Sequence, residues 1–285
     1  MGQSNPSEVV YTPGNSLRHP HILFRQMWSD LANSFEPAYR LLKRDISAEY
    51  RQSLLGIFWA IIAPVFGSAA FILANNAKII NVGNVGLPYP AYVMFSMVLW
   101  QIFLGAFNAP LSSITSSVHI MTRIKFRYET AILKTLGHVF WNALVKSVLV
   151  IGLFVYFKIN LHLTLLFFPV AFVMLILFGL LLGMIVAPVG SLYHDISKII
   201  ELVMPFLMFI TPVIYAIPES GKLAMFMKLN PITYLLLTAR ESAAMGFVSF
   251  PVEFIIISVI TFLLLPLAWL VLRISMPYII ERMSA

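Results

Sequence analysis

Long apolar runs separated by short polar segments dominate the chain. Six of these runs have roughly the 20 residues that a helix needs to cross about 30 Å of hydrocarbon at 1.5 Å per residue. They lie at about residues 54–76, 89–111, 131–157, 163–188, 199–216 and 254–274. The pattern predicts an all-α integral membrane protein in which residues 46–285 form a domain of six transmembrane helices.

The segment before the first run has a different pattern. Residues 1–20 are polar, rich in Pro, Gly and Ser, and lack the apolar core of a signal peptide, which predicts a flexible cytoplasmic tail. Over residues 21–45, apolar side chains recur at helical spacing, which predicts an amphipathic helix at the membrane interface. The alternative is a helix packed on another protein surface. The apolar row contains Phe24, Met27, Trp28, Leu31 and Phe35, and the polar row contains Arg25, Asp30, Asn33 and Ser34.

Residues 217–252 separate the fifth run from the sixth and are too long for a hairpin turn. They are interrupted by Pro and Gly but remain partly apolar. We predict two short external helices that enter the outer leaflet and return, since irregular backbone at membrane depth needs cover from protein or water. The alternative is a seventh full span, which would place the carboxyl terminus outside.

Composition agrees with a membrane protein and not with an ordinary soluble enzyme. Of the 285 residues 60% are hydrophobic and 11% are charged, whereas soluble domains carry about 25% charged residues. The chain has no cysteine, which excludes disulfides, thiolate catalysis and Cys-ligated metals.

The placement of the 19 Lys and Arg indicates the orientation of the chain. With alternate connections assigned to opposite sides, one side holds Arg18, Arg25, Arg40, Lys43, Arg44, Arg51, Arg123, Lys125, Arg127, Lys134, Lys198, Arg273 and Arg282. The other side holds Lys78, Lys158, Lys222, Lys228 and Arg240, and Lys146 lies within the third run. Because cytoplasmic loops carry the excess of positive charge, both termini are predicted to be cytoplasmic.

Motifs for catalysis are missing from the sequence. There is no G-x-x-x-x-G-K-[ST] phosphate loop, no H-E-x-x-H and no G-x-S-x-G, and the six His lack ligand spacing. We therefore predict no catalytic residues, no metal site and no ATP hydrolysis by this chain alone. Carboxylates that could relay protons are nearly absent from the centres of the runs, since Glu201 and Glu253 lie near run ends. The energy for any transport would come from elsewhere.

The connection between the second and third runs, residues 112–130, carries its own amphipathic pattern. Ile114, Val118, Met121 and Ile124 recur at helical spacing among polar residues, and three cations follow near the end of the segment. This predicts a short cytoplasmic helix. It serves either as a docking element for a soluble partner or as another interface anchor, and the residues leave both interpretations open.

Three short motifs in order carry a resemblance to a known family. The first combines Arg44, Asp45, Tyr50, Ser53, Leu55, Gly56, Trp59, Ala60 and Pro64; the second Asp195, Ile196, Thr211, Pro212, Val213, Ile214 and Tyr215; the third Asn230 and Pro231. Together they resemble the membrane subunits of ABC exporters of polysaccharides, the O-antigen and teichoic-acid permeases. The resemblance covers about residues 21–275.

This resemblance implies a homodimer with two copies of a separate subunit that binds ATP and Mg. It also implies a lipid-linked glycan as substrate, a central channel lined by the first and fifth spans, and a location in the cytoplasmic (inner) membrane. The aromatic residues expected in that channel, where sugar rings would stack, are Trp59, Phe66, Phe206, Phe209 and Tyr215. Contact with lipid or packing in the core is the alternative for each of them.

Three further groups of residues become candidates through the resemblance and the charge pattern. Those for the entry of a lipid pyrophosphate are Arg40, Lys43, Arg44 and Arg51, which simple positive-inside anchoring also explains. Those for an external gate are Asn230, Pro231, Arg240 and Glu241. Those for contact with the ATPase subunit are Met121, Arg123, Phe126, Arg127 and Glu129, where the family's Phe-Pro-Arg-Glu-like element reads Phe-Arg-Tyr-Glu.

Other functions remain as alternatives. An ABC permease for teichoic acid, for a drug or for a lipid would share the same architecture. A membrane-embedded transferase would need acidic or His residues that converge at one membrane face, and the scattered His argue against it. A structural scaffold would not need a cytoplasmic docking helix. A nucleic-acid partner is not predicted despite the net charge of +7.

Overall fold

The computed structural model describes residues 20–51, 58–121 and 127–284, with side chains for 25–48, 58–116, 127–193 and 195–282. These residues form α-helices and a short 3-10 helix, with no strand among them, so the predicted all-α fold class is confirmed. Residues 1–19 of the predicted tail lie outside the described ranges.

The α-helices follow the apolar runs, with a short 3-10 helix, Leu163–Phe167, before α5. They are α1 (Pro20–Arg51), α2 (Phe58–Asn76), α3 (Tyr89–Met121), α4 (Tyr128–Tyr156), α5 (Phe168–Leu192), α6 (His194–Phe209), α7 (Lys222–Leu229), α8 (Pro231–Ala244) and α9 (Pro251–Ser284).

Helix α3 lies at the centre of the bundle and packs against α4 on one side and α5 on the other. Large side chains such as Tyr92, Phe95 and Phe103 are fully buried along it. Gly179 and Gly183 of α5 face the α3 backbone, and a Cβ at Gly179 would lie only 2.8 Å from the Phe103 carbonyl oxygen. Small residues at helix contacts allow this close backbone approach, which is common between membrane helices.

Long-range side-chain contacts define the two ends of the bundle. At one end Arg273, late in α9, bonds with Asp30 of α1 and Glu129 of α4. We call this the α1 end. At the other end Arg240 of α8 bonds with Ser96, early in α3. The first described helix and the carboxyl-terminal part of α9 therefore lie at the same end, which requires an even number of crossings between them.

Helix α1 packs against α4 with a face that takes residues from both rows. Met27 and Asp30 are buried, whereas Trp28 and Asn33 are exposed. The two expected rows therefore do not separate the buried side of the helix from its exposed side. The Trp28 ring also meets Trp269 of α9 edge to face, with ring centroids 6.0 Å apart. That α1 lies at a membrane interface stays a prediction.

Five of the described helical segments are long and apolar enough to cross a membrane: Phe58–Asn76, Tyr89–Ser116, Tyr128–Tyr156, Leu163–Leu192 and Pro251–Arg282. The predicted span at 199–216 corresponds to α6, whose 16 residues extend only about 24 Å. The turn after α6 nevertheless reaches the opposite end, where the Tyr92 hydroxyl lies 3.0 Å from the carbonyl oxygens of Pro212 and Tyr215. The chain thus traverses most of the bundle here with a short helix and a turn.

The segment 217–252 contains the two short helices α7 and α8, of 8 and 14 residues. Neither has the length of a span, so the structure gives no support to a seventh crossing. Helix α8 is buried along almost its whole length against α3, α5 and α9. That these helices are re-entrant in a membrane stays a prediction.

Candidate functional site

An ion cluster lies inside the α1 end of the bundle. The Arg273 guanidinium donates to Asp30 Oδ2 at 2.6 Å and to Glu129 Oε1 at 3.2 Å, and Arg127 Nε lies 3.2 Å from Asp30 Oδ1. Asp30, Glu129 and Arg273 are buried. Glu129 is in the first turn of α4, where the helix dipole favours a carboxylate. The cluster therefore connects α1, the start of α4 and the late part of α9.

Two of the residues predicted to contact an ATPase subunit belong to this cluster. Glu129 is only 1% exposed and points into the chain, and Arg127 is partly exposed. Residues Arg123 and Phe126, together with the side chain of Met121, lie outside the described residues. The partner contact stays a prediction for this segment, while the Glu129 side chain is engaged inside the protein and leaves little surface for a partner.

A polar cavity of about 350 Å³ lies between α1, α3 and α4. The small residues Gly105 and Ala109 of α3 leave the room for it. Its polar lining consists of Asp45, Ser112, Lys134, Thr135, His138 and Asn142.

Charged and amide side chains inside this cavity are already ordered by contacts with one another. Lys134 Nζ lies 3.1 Å from Asp45 Oδ2, and Asn142 Nδ2 lies 3.0 Å from His138 Nδ1. Burial favours the neutral form of Asp45, but the hydrogen bonds from Lys134 and Arg44 outweigh it and hold the pKa of this carboxyl below its usual value. Asp45 is therefore ionised at neutral pH.

The predicted entry cations lie on the exposed face of α1. Arg40 pairs with Glu36, and Arg44 Nη2 lies 2.9 Å from Asp45 Oδ1 at the mouth of the polar cavity. Lys43 is exposed, and the side chain of Arg51 lies outside the described residues. Among the entry candidates whose side chains are described, Arg44 is thus the one that contacts a residue of the cavity lining.

The predicted channel aromatics lie on α2, on α6 and in the turn after α6. Phe66 is 74% exposed, and the other members Trp59, Phe206 and Phe209 are exposed as well. The rings of Phe71 and Phe209 meet edge to face with centroids 6.2 Å apart, which places α2 beside α6. Tyr215 is partly buried, and its hydroxyl donates to the Phe209 carbonyl oxygen. Both helices therefore expose aromatic side chains.

The predicted gate residues are packed inside the opposite end. Arg240 donates to Ser96 Oγ at 2.8 Å and to the Pro212 carbonyl at 2.7 Å, and it lies 4.0 Å from the centre of the Tyr92 ring. Both Arg240 and Glu241 are buried. In this conformation Arg240 connects α8 to α3 and to the turn after α6, and a role in gating is untested.

The other gate candidates lie at the two ends of α8, where Asn230 holds the same turn and Glu241 binds the chain beyond the helix. Asn230 caps α8 by accepting from the Ile232 amide, with Pro231 in the first turn. Its amide nitrogen donates to Thr211 Oγ1 at 2.9 Å. Glu241 accepts two hydrogen bonds from Ser249 beyond the end of the helix.

Sequence reasoning missed the ion cluster and the polar cavity. A signal for the cavity was present, because Lys134, His138 and Asn142 recur every four residues along one face of an otherwise apolar helix. The partners of Arg273 had no such signal, since Asp30 is 243 positions away in the chain.

Comparison with known proteins agrees with this architecture. The model of the ABC-2 type transporter family matches residues 38–244, well over half of the chain. The chain belongs to the ABC-2 type transporter family. It is accordingly a multi-pass membrane protein and the transport subunit of an ABC system that associates with a separate ATPase subunit.

Two curated proteins are similar to the chain. The O-antigen export system permease protein RfbA of Myxococcus xanthus is 23% identical over 202 residues, which cover 69% of this chain and 75% of that protein. The protein of the same name from Klebsiella pneumoniae is 20% identical over 224 residues, which cover 76% of this chain and 83% of that protein. The matched family region includes α2 to α6 and the polar cavity, and ends with α8.

Proposed function

We propose that this chain is the permease subunit of an ATP-driven exporter that moves a lipid-linked polysaccharide of the O-antigen type across the cytoplasmic membrane. The names of the two relatives support the substrate class. Two copies of the chain assemble with two ATPase subunits, which bind the ATP and Mg that this sequence has no phosphate loop to hold.

The observation that carries the proposal is the exposure of aromatic side chains on α2 and α6. Phe66, Phe206 and Trp59 are exposed. Aromatic rings stack on the apolar faces of sugars, and they guide a polymer without the tight hold that ionic contacts would give. A second copy of the chain facing these side chains would enclose a path lined by aromatic rings.

The orientation follows from charge. Arg40, Lys43, Arg44 and Arg127 are on α1 and at the start of α4, at the end of the bundle that also holds the predicted docking segment 112–130. The excess of cations supports a cytoplasmic location for the α1 end. An ATPase at that end would contact the segment that leads into the ion cluster, and movement there would reach α1, α4 and α9 together.

The lipid pyrophosphate would enter beside the exposed cations of α1. Arg40 and Arg44 are one turn apart on that helix, so their guanidinium groups can reach the same headgroup with paired, charge-assisted hydrogen bonds. Their carboxylate partners Glu36 and Asp45 would give way to the incoming phosphates.

An export assay in the native host tests the proposal. After depletion of the chain we expect the polysaccharide to be synthesised but retained, so that a membrane-impermeant glycan label reaches it only after lysis. Purification of the complementing wild-type chain in mild detergent is expected to recover a stoichiometric ATPase subunit. Undiminished surface glycan in depleted cells, together with lost efflux of a small hydrophobic compound, would favour a drug or lipid exporter instead.

A further inference from the structure

The polar cavity between α1, α3 and α4 is open to the surface, since Ser112 is exposed and Asp45 and Lys134 are partly exposed. A polar group from outside the bundle can therefore reach it. Its volume is about 350 Å³. It reaches the lower limit of small-ligand sites, about 300 Å³. The cavity therefore has room for the headgroup of a ligand.

The charges around the cavity favour an anion. Lys134 Nζ and Arg44 Nη2 both contact the Asp45 carboxylate, at 3.1 and 2.9 Å. Because two cations meet one carboxylate, Lys134, Arg44 and Asp45 together carry one net positive charge. Both contacts are salt bridges that an incoming anion can replace, because a phosphate offers the cations more acceptor oxygens than a carboxylate does.

The rest of the lining adds polar groups that a phosphate can contact. The Asn142 amide and the His138 ring line the same space as Lys134, and so does Ser112, whose hydroxyl donates to the Ala109 carbonyl. Lys134, His138 and Asn142 are one turn apart on α4, so they extend about 12 Å along the cavity wall. A diphosphate could contact Lys134 and this polar row together.

We propose that the polar cavity binds the phosphate or diphosphate group of an anionic ligand, with Lys134 as its main cation and Asp45 as the group that the anion displaces. The part of this inference that names a lipid diphosphate as the ligand rests on the proposed function. In that case the α1 cations attract the headgroup, and Arg44 passes it into the cavity.

A binding experiment with opposing variants tests the site. The full chain, assembled with its ATPase subunit, is placed in phosphatidylcholine nanodiscs, and binding of radiolabelled farnesyl diphosphate is measured at equilibrium. We expect Lys134→Gln to raise the Kd at least tenfold, because it removes the main cation. Asp45→Asn should lower the Kd several-fold, because it frees Lys134 and Arg44. Lys198→Gln, which changes an exposed cation of α6 outside the cavity, serves as the control and should leave the Kd unchanged.

Competitors identify the source of the phosphate. If unlabelled farnesyl diphosphate displaces the radiolabelled probe and the other compounds, including farnesol, do not, the ligand is a polyprenyl carrier. Equal competition by phosphatidylglycerol supports a phospholipid headgroup, and equal competition by inorganic diphosphate supports a soluble anion. Each of these outcomes keeps the phosphate site.

Two results would overturn the site. One is an unchanged Kd in Lys134→Gln. The other is weaker binding in Asp45→Asn to the same degree as in Lys134→Gln, since that would make the pair a structural contact alone. Export and binding can fail separately. If the chain exports glycan but Lys134→Gln binds the probe as well as the wild type does, only the proposed site is contradicted. A chain that binds the probe but exports no glycan contradicts the proposed function only.

Discussion

Arg273 is a buried cation whose position depends on two carboxylates from distant parts of the chain. Removing a guanidinium from water is costly, and the cost is offset only when well-placed acceptors surround it. Its fork presents nitrogen atoms in two directions, so that one meets Asp30 and another meets Glu129. A lysine has a single ammonium and would not reach both carboxylates in the same way.

Replacing Arg273 with Gln should lower the free energy of unfolding by about 3–5 kcal/mol, since two buried carboxylates lose their shared cation. The loss is measured as the shift in heat-induced unfolding of the detergent-purified chain, followed by fluorescence-detected size exclusion. Arg282→Gln is the control on the same helix. Arg282 is exposed, and its guanidinium carbon lies 5.2 Å from the centre of the Tyr193 ring. We expect a change below about 1 kcal/mol for this control.

A double variant separates the ion cluster from general damage to α9. Asp30 keeps its contact with Arg127 in Arg273→Gln, whereas Glu129 loses its cation. Adding Glu129→Gln removes this unpaired carboxylate and should recover part of the lost stability. If the double variant instead loses the full sum of the two single losses in stability, the coupling between Arg273 and Glu129 is contradicted.

At the residue scale the sequence predicted which side of the membrane each cation prefers but not what it contacts. Arg273 follows the last apolar run, so a flanking charge was the natural interpretation. Its burial results from a meeting of α1, α4 and α9 that no local pattern records. Lys134 and His138 were visible as a polar row, yet whether a polar row faces a cavity, a partner or lipid depends on packing.

At the scale of helices, α3 and α5 approach so closely that two glycines are required between them. A Cβ on Gly183 would overlap the Phe107 carbonyl oxygen, and a Cβ on Gly179 would press against that of Phe103. Both obstacles belong to backbone, which cannot move aside as a flexible side chain can. The contact also joins the two most buried of the membrane-span candidates, so that its spacing sets the width of the core.

Gly183→Ala should therefore destabilise the chain by roughly 1–3 kcal/mol, the usual cost of overpacking. Gly152→Ala is a matched control, since this glycine is also inside a membrane helix and nothing lies within 4 Å of its added Cβ. The two variants are compared by the same heat-unfolding measurement. Equal effects of both variants would mean that helix propensity, and not the α3–α5 contact, controls the outcome.

Hydropathy placed the membrane helices well and failed at the end of α6. Residues 210–216 are apolar enough to extend a predicted span, but the helix ends at Phe209 and a turn follows. The freed carbonyl of Pro212 is satisfied by Arg240 and Tyr92, which come from other helices. A turn at this depth depends on such long-range donors, and a window of local sequence cannot contain them.

At the scale of the whole molecule, α2 is the least covered of the spans. Of its described residues, only Pro64 and Ser68 are buried. Like α6, it exposes aromatic side chains, and α9 exposes apolar side chains as well. The proposed homodimer uses α2 and α6, because these two helices carry the channel aromatics.

Cysteine crosslinking tests this interface without any background from native cysteines, because the chain has none. We expect Phe66→Cys in α2 to give a covalent dimer with a short bis-maleimide in native membranes. Phe262→Cys in α9 is the matched control, as Phe66 and Phe262 are 74% and 71% exposed. The readout is the dimer fraction on a denaturing gel. A dimer from Phe262→Cys alone would place the interface on α9 and leave α2 facing lipid.

The ion pair between Asp30 and Arg273 joins positions 243 residues apart and has a consequence for biosynthesis. Proteins are made and folded from the amino terminus onward. Asp30 and Glu129 therefore reach the membrane long before the ribosome has translated Arg273. A chain truncated before this residue carries two carboxylates without their shared cation at the junction of α1 and α4, so that insertion of the last helix completes assembly and distinguishes a finished chain from a fragment.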